Sequence, residues 1–299
     1  MTCVSWAGHN DNQNQFAYVD EMGSLTLWNL DKKTYYTEHN ISNSILNTCA
    51  LEQVNTRLLA CGGLDTRICI FNINRKEEIG RITKAKDLTD HTGMITCCSF
   101  LDETHLISGS SDSTFLLWDI STAGRSLRQF LDHEAEVACL DVCEQNGNIL
   151  VSGSGDTTVR VWDIRIKEAC VRIFDTSKHS INDIKFMPNR ETTLAAGDDD
   201  GVIRLLDIRA IGSVGEYKAK DKEVVKSMAF SKSGRILFTA YKGTGLVLWD
   251  VITEQIINEI PEAHGKQVNS LAMSVDGLTL LTAGKDGFVR MWTRRKGLI

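Results

Sequence analysis

Three sets of polar residues in this chain could, by their types alone, support nucleophilic catalysis. Each set combines a histidine, a hydroxyl residue, an aspartate and a tryptophan. The sets are His91, Ser108, Asp112 and Trp118; His133, Ser152, Asp156 and Trp162; and His264, Thr282, Asp286 and Trp292. A hydroxyl, an imidazole and a carboxylate joined by hydrogen bonds form the triad of many hydrolases. These residues are therefore the first candidates for chemistry.

The spacing within the sets favours a structural role over a catalytic one. In all three, the hydroxyl residue lies four positions before the aspartate, and the tryptophan lies six positions after it. None of the hydroxyls lies in a G-x-S-x-G nucleophile elbow. An enzyme does not need one triad three times, whereas a repeated unit needs one network in each copy. The aspartate can accept from turn amides and from the imidazole, and the hydroxyl can join the imidazole to the indole N–H. Every buried polar group would then have a partner.

The elements that position these sets recur along the whole chain. A short apolar stretch ends in Trp-Asp or a variant of it, and its aromatic or leucine position falls at residues 28, 71, 118, 162, 206, 249 and 292. The steps between these positions are 43, 47, 44, 44, 43 and 43 residues. This period and the Trp-Asp dipeptide are typical of a WD-repeat β-propeller. We therefore expect an all-β, single-domain, seven-bladed propeller, with blades at about 1–43, 44–91, 92–133, 134–179, 180–222, 223–264 and 265–299.

Each blade should contain four antiparallel strands, and no stretch indicates a substantial helix. Four of the blades depart from the full pattern and are expected to be locally less stable. Blade 5 has Ala196 and Leu206 in place of the hydroxyl and the tryptophan, with Asp200 at the aspartate position. Blade 6 has Gly243 at its aspartate position. Few residues follow Trp292, so blade 7 lacks an evident outer strand: either Thr293–Ile299 forms a stunted one, or a segment preceding Met1 is missing, and we favour the second.

Composition excludes several classes of protein. The net charge of −6 and pI of about 5.7 argue against a general nucleic-acid binder. No apolar run approaches the ~18 residues of a transmembrane helix, so direct membrane insertion is not expected. The N-terminus lacks the basic and apolar regions of a signal peptide. The Asp198–Gly201 turn lacks the ligand spacing of a calcium loop. We expect no cofactor and no metal.

The chain has nine cysteines, and most of them lie in strand-like apolar stretches. Such residues usually behave as small hydrophobic side chains, which indicates reduced thiols in a reducing, cytosolic compartment. Cys139 and Cys143 have a spacing that could suggest zinc. In a strand, however, residues at i and i+4 lie about 13 Å apart, which is too far for two ligands of one ion.

Several stretches resemble the heterotrimeric G-protein β subunit family more closely than WD repeats in general. The resemblance covers nearly the whole chain and includes the loss of tryptophan in blade 5. The stretches are Ala60–Asp65, Asp90–Gly93, Cys97–Asp102, Ala196–Asp200, Arg204–Arg209 and Phe230–Arg235.

This resemblance implies a non-catalytic signalling subunit acting in transmembrane-receptor signalling. Such a subunit binds GDP-loaded Gα on one narrow face of the disc and, after Gα leaves, binds effector proteins there. It is cytoplasmic and is held at the inner face of the plasma membrane by its partners. The family pairs with Gγ through an N-terminal helix, and this sequence contains no heptad pattern for such a helix.

The resemblance also indicates interface positions. Leu64, Asn182 and Asp199 keep the family residue, and Glu136 keeps the acid; ordinary loop packing is the alternative role for each. Met94 and Lys285 stand at interface positions where the family has Tyr and Trp. Ile45, Asn47 and Ala138 also replace larger residues, namely Trp, Met and Met.

Aromatic anchors often contribute much of an interface's affinity, so their loss leaves other functions open. One alternative is a WD-repeat scaffold or ubiquitin-ligase adaptor that does not bind Gα. Another is a propeller hydrolase with a catalytic group facing the central channel.

Overall fold

The computed structural model describes residues 1–7, 15–74, 82–122, 124–175 and 177–293. All regular elements in these ranges are β-strands, and they form seven antiparallel sheets. In each sheet the strands lie side by side in chain order, so each sheet is one blade. The seven-bladed all-β propeller predicted from the repeat is thereby confirmed.

The first three blades contain twelve strands. Blade 1 comprises β1 (Cys3–Trp6), β2 (Gln15–Val19), β3 (Leu25–Asn29) and β4 (Thr34–Glu38). Blade 2 comprises β5 (Leu46–Leu51), β6 (Leu58–Gly63), β7 (Ile68–Ile73) and β8 (Ile82–Leu88). Blade 3 comprises β9 (Ile95–Phe100), β10 (His105–Ser110), β11 (Phe115–Asp119) and β12 (Ser126–Phe130).

The next three blades repeat this arrangement. Blade 4 comprises β13 (Val137–Val142), β14 (Ile149–Ser154), β15 (Val159–Asp163) and β16 (Cys170–Phe174). Blade 5 comprises β17 (Ile181–Phe186), β18 (Thr193–Asp198), β19 (Val202–Asp207) and β20 (Ser213–Lys218). Blade 6 comprises β21 (Val225–Phe230), β22 (Ile236–Tyr241), β23 (Leu246–Asp250) and β24 (Gln255–Ile260).

Blade 7 has three strands within the described residues. They are β25 (Val268–Met273), β26 (Thr279–Gly284) and β27 (Val289–Thr293). Residues 294–299, which follow β27, lie outside the described residues.

The first strand of each blade lies against the first strands of both neighbouring blades, and β25 lies against β1, which closes the ring. Hydrogen bonds join the two blades at this seam. The Val4 amide donates to Ser270 Oγ at 3.3 Å, and the Trp6 indole donates to the Ala272 carbonyl at 3.1 Å.

Hydrogen bonds between an inner-strand amide and a side chain of the neighbouring blade also occur elsewhere in the ring. The Phe186 amide donates to Asp141 at 2.7 Å, and the Leu271 amide donates to Ser227 at 3.0 Å. An inner strand has one edge without a strand partner, so a side chain from the neighbouring blade supplies the missing acceptor.

The core consists of apolar layers between neighbouring blades. Trp118 and Trp162 are among the largest fully buried side chains. Close packing requires glycine where one blade touches the next. A Cβ at Gly153, for example, would lie 2.5 Å from Ile181 Cγ2. The recurrent Ser-Gly-Ser at the end of a second strand is therefore a packing feature.

Candidate protein-interaction face

The polar set of blade 4 forms one continuous buried network. His133 Nδ1 lies 2.7 Å from Asp156 Oδ2, and His133 Nε2 lies 2.6 Å from Ser152 Oγ. The Trp162 indole donates to the same Ser152 Oγ at 2.8 Å. A neutral imidazole that donates from Nδ1 to Asp156 can accept the Ser152 hydroxyl proton at Nε2. The serine oxygen then accepts from the indole, and every group has a partner.

Blades 3 and 7 contain the same arrangement. His91 lies 2.9 Å from Asp112 and 2.8 Å from Ser108, and the Trp118 indole donates to Ser108 at 2.8 Å. In blade 7 the two histidine distances are 2.9 Å and 2.7 Å, and the indole distance is 3.1 Å. The blade 7 residues are His264, Asp286, Thr282 and Trp292. The structure thus brings together all twelve residues of the three sets.

Charge in these networks is fixed by burial and hydrogen bonding. Burial opposes ionisation of Asp156, but hydrogen bonds from Thr158, His133 and turn amides outweigh it and lower its pKa to about 2. The same balance, with Thr114 as the first donor, lowers the pKa of Asp112 to about 2. Burial also lowers the pKa of His133, against the raising effect of Asp156. The carboxylates are therefore ionised at neutral pH, and His133 is neutral.

This geometry is unsuited to catalysis. Ser108, Ser152 and Thr282 are fully buried, and each hydroxyl oxygen is shared between an imidazole and an indole. A substrate carbonyl cannot reach such an oxygen. Within the described ranges, no group of three or more histidine, cysteine or acidic side chains could hold a metal ion.

Blade 5 corrects one expectation, because Asp198 rather than Asp200 takes the buried position. Asp198 is fully buried and accepts from Ser177 at 2.9 Å and from Arg204 at 2.5 Å. Asp200 is exposed and pairs with Lys218 at 2.7 Å. Ser177 occupies the place where blades 3, 4 and 7 have histidine, and its short side chain cannot reach the turn. The acid at the end of β18 reaches it instead.

Strand direction sorts the loops onto two faces. The first strand of every blade starts at one face, and its antiparallel partner returns to that face. The turn between the second and third strands and the loop that enters the next blade therefore share this side, which we call the upper face. The turns between first and second strands, and between third and fourth strands, lie on the lower face.

All six interface candidates lie on the upper face. Leu64, Asp199 and Lys285 are in turns between second and third strands, and their amides donate to carbonyls at the entrance of the same blade. Met94 and Glu136 lie at such entrances, and their carbonyls accept from the amides of Ser111 and Gly155. Asn182 is the second residue of β17. The face is thus assembled from blades 2, 3, 4, 5 and 7.

The six candidates differ in solvent exposure and in the contacts that they already make within the propeller. Leu64 is 45% exposed, and Glu136 and Lys285 are also exposed, whereas Met94 is partly buried. Asn182 donates to Asp199 at 2.7 Å and to the Val225 carbonyl at 3.1 Å, so it joins blades 5 and 6.

The replaced residue Asn47 also has a structural contact, because it donates to the Ile95 carbonyl at 3.2 Å. Ile45 and Ala138 are partly buried at blade entrances. None of these three presents a large exposed apolar surface to a partner.

Two exposed apolar residues on the upper face were missed by the sequence analysis. Met22 is 79% exposed and Phe288 is 61% exposed, each in the turn between the second and third strands of its blade. Met22 stands six residues before Trp28, where complete blades have aspartate. An apolar residue at the aspartate position of the repeat was therefore the sequence signal for Met22.

The central channel contains a charged group that was also missed. Lys185 Nζ lies 3.8 Å from Asp141 and 4.0 Å from Asp183. Burial raises the pKa of Asp141 to about 6, against the lowering effect of Lys185. The sequence signal for this group was the presence of charged residues at alternate positions of the predicted inner strands.

The fold and the buried networks define a WD-repeat β-propeller. The family model described as "WD domain, G-beta repeat" matches residues 82–119, 124–163, 168–207 and 256–293.

Comparison with known proteins narrows the class. The chain is 37% identical to "Guanine nucleotide-binding protein subunit beta" of Schizosaccharomyces pombe, over 90% of this chain and 85% of that protein. It is 42% identical to the protein of the same name from Lymnaea stagnalis, over 97% and 82% of the two chains. Identity to "Guanine nucleotide-binding protein G(I)/G(S)/G(T) subunit beta-1" of Homarus americanus is 40%, over 95% and 81%.

The chain belongs to the G-protein β subunit family. As in that family, it is a non-catalytic binding protein and not an enzyme.

Comparison with solved structures supports the propeller fold and, at this low sequence identity, shows nothing about function. A chain of the mitotic checkpoint complex superposes with a TM-score of 0.84 at 20% identity, covering 98% of this chain and 87% of that one. The WD40 β-propeller domain of Doa1 gives a TM-score of 0.80 at 19% identity, covering 98% and 92%. Within the described residues, no helix has the length and apolar character needed to cross a bilayer.

Proposed function

We propose that the upper face binds GDP-loaded Gα and, after Gα leaves, binds effector proteins in transmembrane-receptor signalling. The observation that carries the proposal is the grouping of the family-like positions Leu64, Glu136, Asn182 and Asp199 on one face of a chain that belongs to the G-protein β family. Binding on a shared face makes Gα and effectors compete. Release of Gα then follows from changes in its own nucleotide-dependent segments.

The buried networks support this role by holding the upper face rigid. Each network aspartate sits in the turn between the second and third strands and also accepts from an amide of the loop that enters its blade. Asp112 accepts from Thr92 at 2.9 Å, and Asp286 accepts from Gly265 at 2.9 Å. The two loop types that form the face are thereby tied together. A surface fixed before binding loses little conformational entropy when a partner docks.

The proposal includes a Gγ subunit and a peripheral position at the inner face of the plasma membrane. In the family that the sequence resembles, Gγ pairs through an N-terminal helix, so we expect Gγ binding to require such a helix in addition to the propeller. The propeller would then reach the membrane through its partners.

A pull-down with Gα from the same organism tests the proposal. The chain should retain Gα loaded with GDP and release it when the nucleotide is a non-hydrolysable GTP analogue. Equal retention in both nucleotide states, or retention in neither, would contradict Gα binding by this face.

The alternative is a WD-repeat scaffold or ubiquitin-ligase adaptor that does not bind Gα. The observation that favours it is the loss of aromatic residues at Ile45, Met94 and Lys285, since aromatic side chains are common anchors at interfaces. The two functions separate in the same pull-down, because a scaffold would show no dependence on the nucleotide of Gα.

A further inference from the structure

Four cysteines form a row between blades 1 and 2. Cys49, Cys61 and Cys69 are directly opposite one another on β5, β6 and β7, so their side chains share one face of the blade 2 sheet. Cys3 of β1 meets this row from the neighbouring blade. All four contribute to the apolar layer between the two blades, and all nine cysteines of the chain are free thiols.

Cys3 and Cys49 form the contact between the blades. Cys3 Sγ lies 3.8 Å from the Cys49 carbonyl oxygen, and Cys49 Sγ lies 3.8 Å from the Cys3 carbonyl oxygen. Each sulfur therefore lies against the backbone of the other residue. This reciprocal contact brings the two side chains together across the boundary between the blades, and a disulfide forms between cysteines whose Cβ atoms lie about 3.5–4.5 Å apart.

The four thiols differ in access. Cys3 is half-buried on an inner strand at the seam of the ring, where Ser270 Oγ of blade 7 lies 4.0 Å from its sulfur. Cys49 is only 4% exposed, and Cys61 and Cys69 are almost completely buried. Cys3 is therefore the most accessible of the four thiols to a small oxidant.

The environment of Cys3 also favours its thiolate. The neighbouring Cys49 outweighs the effect of burial and, with Ser270 and the positive charge of Lys185, lowers the pKa of Cys3 to about 6. The same contact and burial raise the pKa of Cys49. Since thiolates are the nucleophilic form, Cys3 is suited to attack and Cys49 is the protonated neighbour.

We propose that Cys3 is a site of reversible oxidation by hydrogen peroxide, with Cys49 as the resolving thiol. The Cys3 thiolate attacks one peroxide oxygen, the O–O bond breaks, and Cys3 sulfenic acid and hydroxide form. The Cys49 sulfur then attacks the Cys3 sulfur, the S–O bond breaks, and the Cys49 proton leaves with the hydroxyl group as water. Cys3 and Cys49 together lose two electrons, and peroxide is reduced to water and hydroxide.

The product is a disulfide between the inner strands of blades 1 and 2. It fixes blade 1, which also carries the seam with blade 7, to a neighbour through a covalent bond. We infer that oxidation restrains opening of the ring at its seam. A dithiol reductant restores the two thiols.

Peptide mapping of the unmodified sequence tests the proposal directly. Trypsin cleaves after Lys32, Lys33, Arg57 and Arg67, so the four cysteines of the row fall in four different peptides. After treatment with equimolar peroxide and alkylation of the remaining thiols, we expect a cross-link between peptides 1–32 and 34–57. Dithiothreitol should remove the cross-link. The oxidised protein should melt at a Tm higher by about 5 °C or more.

Three variants sharpen the test. Cys3→Ser should abolish the cross-link and the Tm shift. Cys49→Ser should accumulate Cys3 sulfenic acid, which dimedone traps. Cys170→Ser, which changes a cysteine in the outer strand of blade 4, should behave like the unmodified protein. A Cys3 that stays alkylatable after peroxide treatment, or a cross-link that joins Cys49 to Cys61, would overturn the proposal, and the peptide map gives this answer even if a variant fails to fold.

Discussion

Ser152 Oγ accepts a hydrogen bond from the Trp162 indole at 2.8 Å inside blade 4, with no exposed surface on the serine. The same oxygen contacts His133 Nε2 at 2.6 Å. One hydroxyl thus joins the third strand of the blade to the loop that enters it. The repeated Ser/His/Asp pattern is explained by this structural joint rather than by chemistry.

Ser152→Ala should therefore reduce stability without changing any binding specificity. Removing the hydroxyl leaves the Trp162 N–H and His133 Nε2 buried without a partner, which costs about 1–3 kcal/mol. Chemical denaturation measures the loss. Ser213→Ala, at an exposed serine of β20, is the matched control and should leave the free energy of unfolding unchanged. Equal effects of the two substitutions would contradict the network.

The networks also predict how stability depends on pH. Burial lowers the pKa of His133 below its ordinary value of 6.5, so the unfolded chain takes up this proton before the folded one does. Stability contributed by neutral His133 is therefore lost as the pH falls below about 6.5. Asp112 and Asp156 have pKa values near 2 instead of 3.8, so a second loss should occur between these values.

Unfolding free energies measured across this range should show both declines. Asp156→Asn should reduce the loss of unfolding free energy between pH 3.8 and about 2, because one carboxyl with a lowered pKa is removed. An unchanged slope in this variant would show that Asp156 does not contribute through ionisation.

Blade 5 yields a contrast between two neighbouring acids. Asp198→Ala removes the buried acceptor of Ser177 and the closer acidic partner of Arg204, which is only 15% exposed and keeps a 3.7 Å contact with Glu216. Breaking a buried pair costs about 3–5 kcal/mol, and the remaining contact with Glu216 places the expected loss near the lower end of that range. Asp200→Ala should change the denaturation midpoint little, because its pair with Lys218 is exposed to solvent. Similar midpoints for the two variants would restore Asp200 as the structural acid.

This contrast shows where sequence reasoning reached its limit. Spacing identified the three complete networks because hydroxyl, acid and indole recur at constant intervals. It could not select one acid among Asp198, Asp199 and Asp200, because the choice depends on which side chain points inward at the strand end. Asp198, the last residue of β18, points into the blade, whereas the next two acids are in the turn.

Exposure on the upper face was equally hard to predict. An apolar residue in a turn can fold onto the core or remain in solvent, and its neighbours in space decide the outcome. Leu64 was selected through family resemblance, whereas Met22 and Phe288 have no counterpart in that resemblance; the position of Met22 in the repeat was its one sequence signal, and the exposed fractions of 79% and 61% identify both residues. The repeat predicted the framework, and the surface depended on packing between segments distant in sequence.

The upper face gives the last prediction, which tests a binding residue without disturbing the fold. Leu64→Ala should weaken retention of GDP-loaded Gα by about threefold to tenfold, since docking can bury only the exposed 45% of a side chain whose full burial contributes about 1.5–3 kcal/mol. Leu278→Ala is a matched control. Leu278 is 55% exposed, close to the 45% of Leu64, but it lies in the turn between β25 and β26 on the lower face. Both variants should keep the Tm of the unmodified chain, because neither leucine is buried. Titration of labelled Gα measures the two affinities, and equal affinities would remove Leu64 from the interface while leaving other upper-face residues to be tested in the same way.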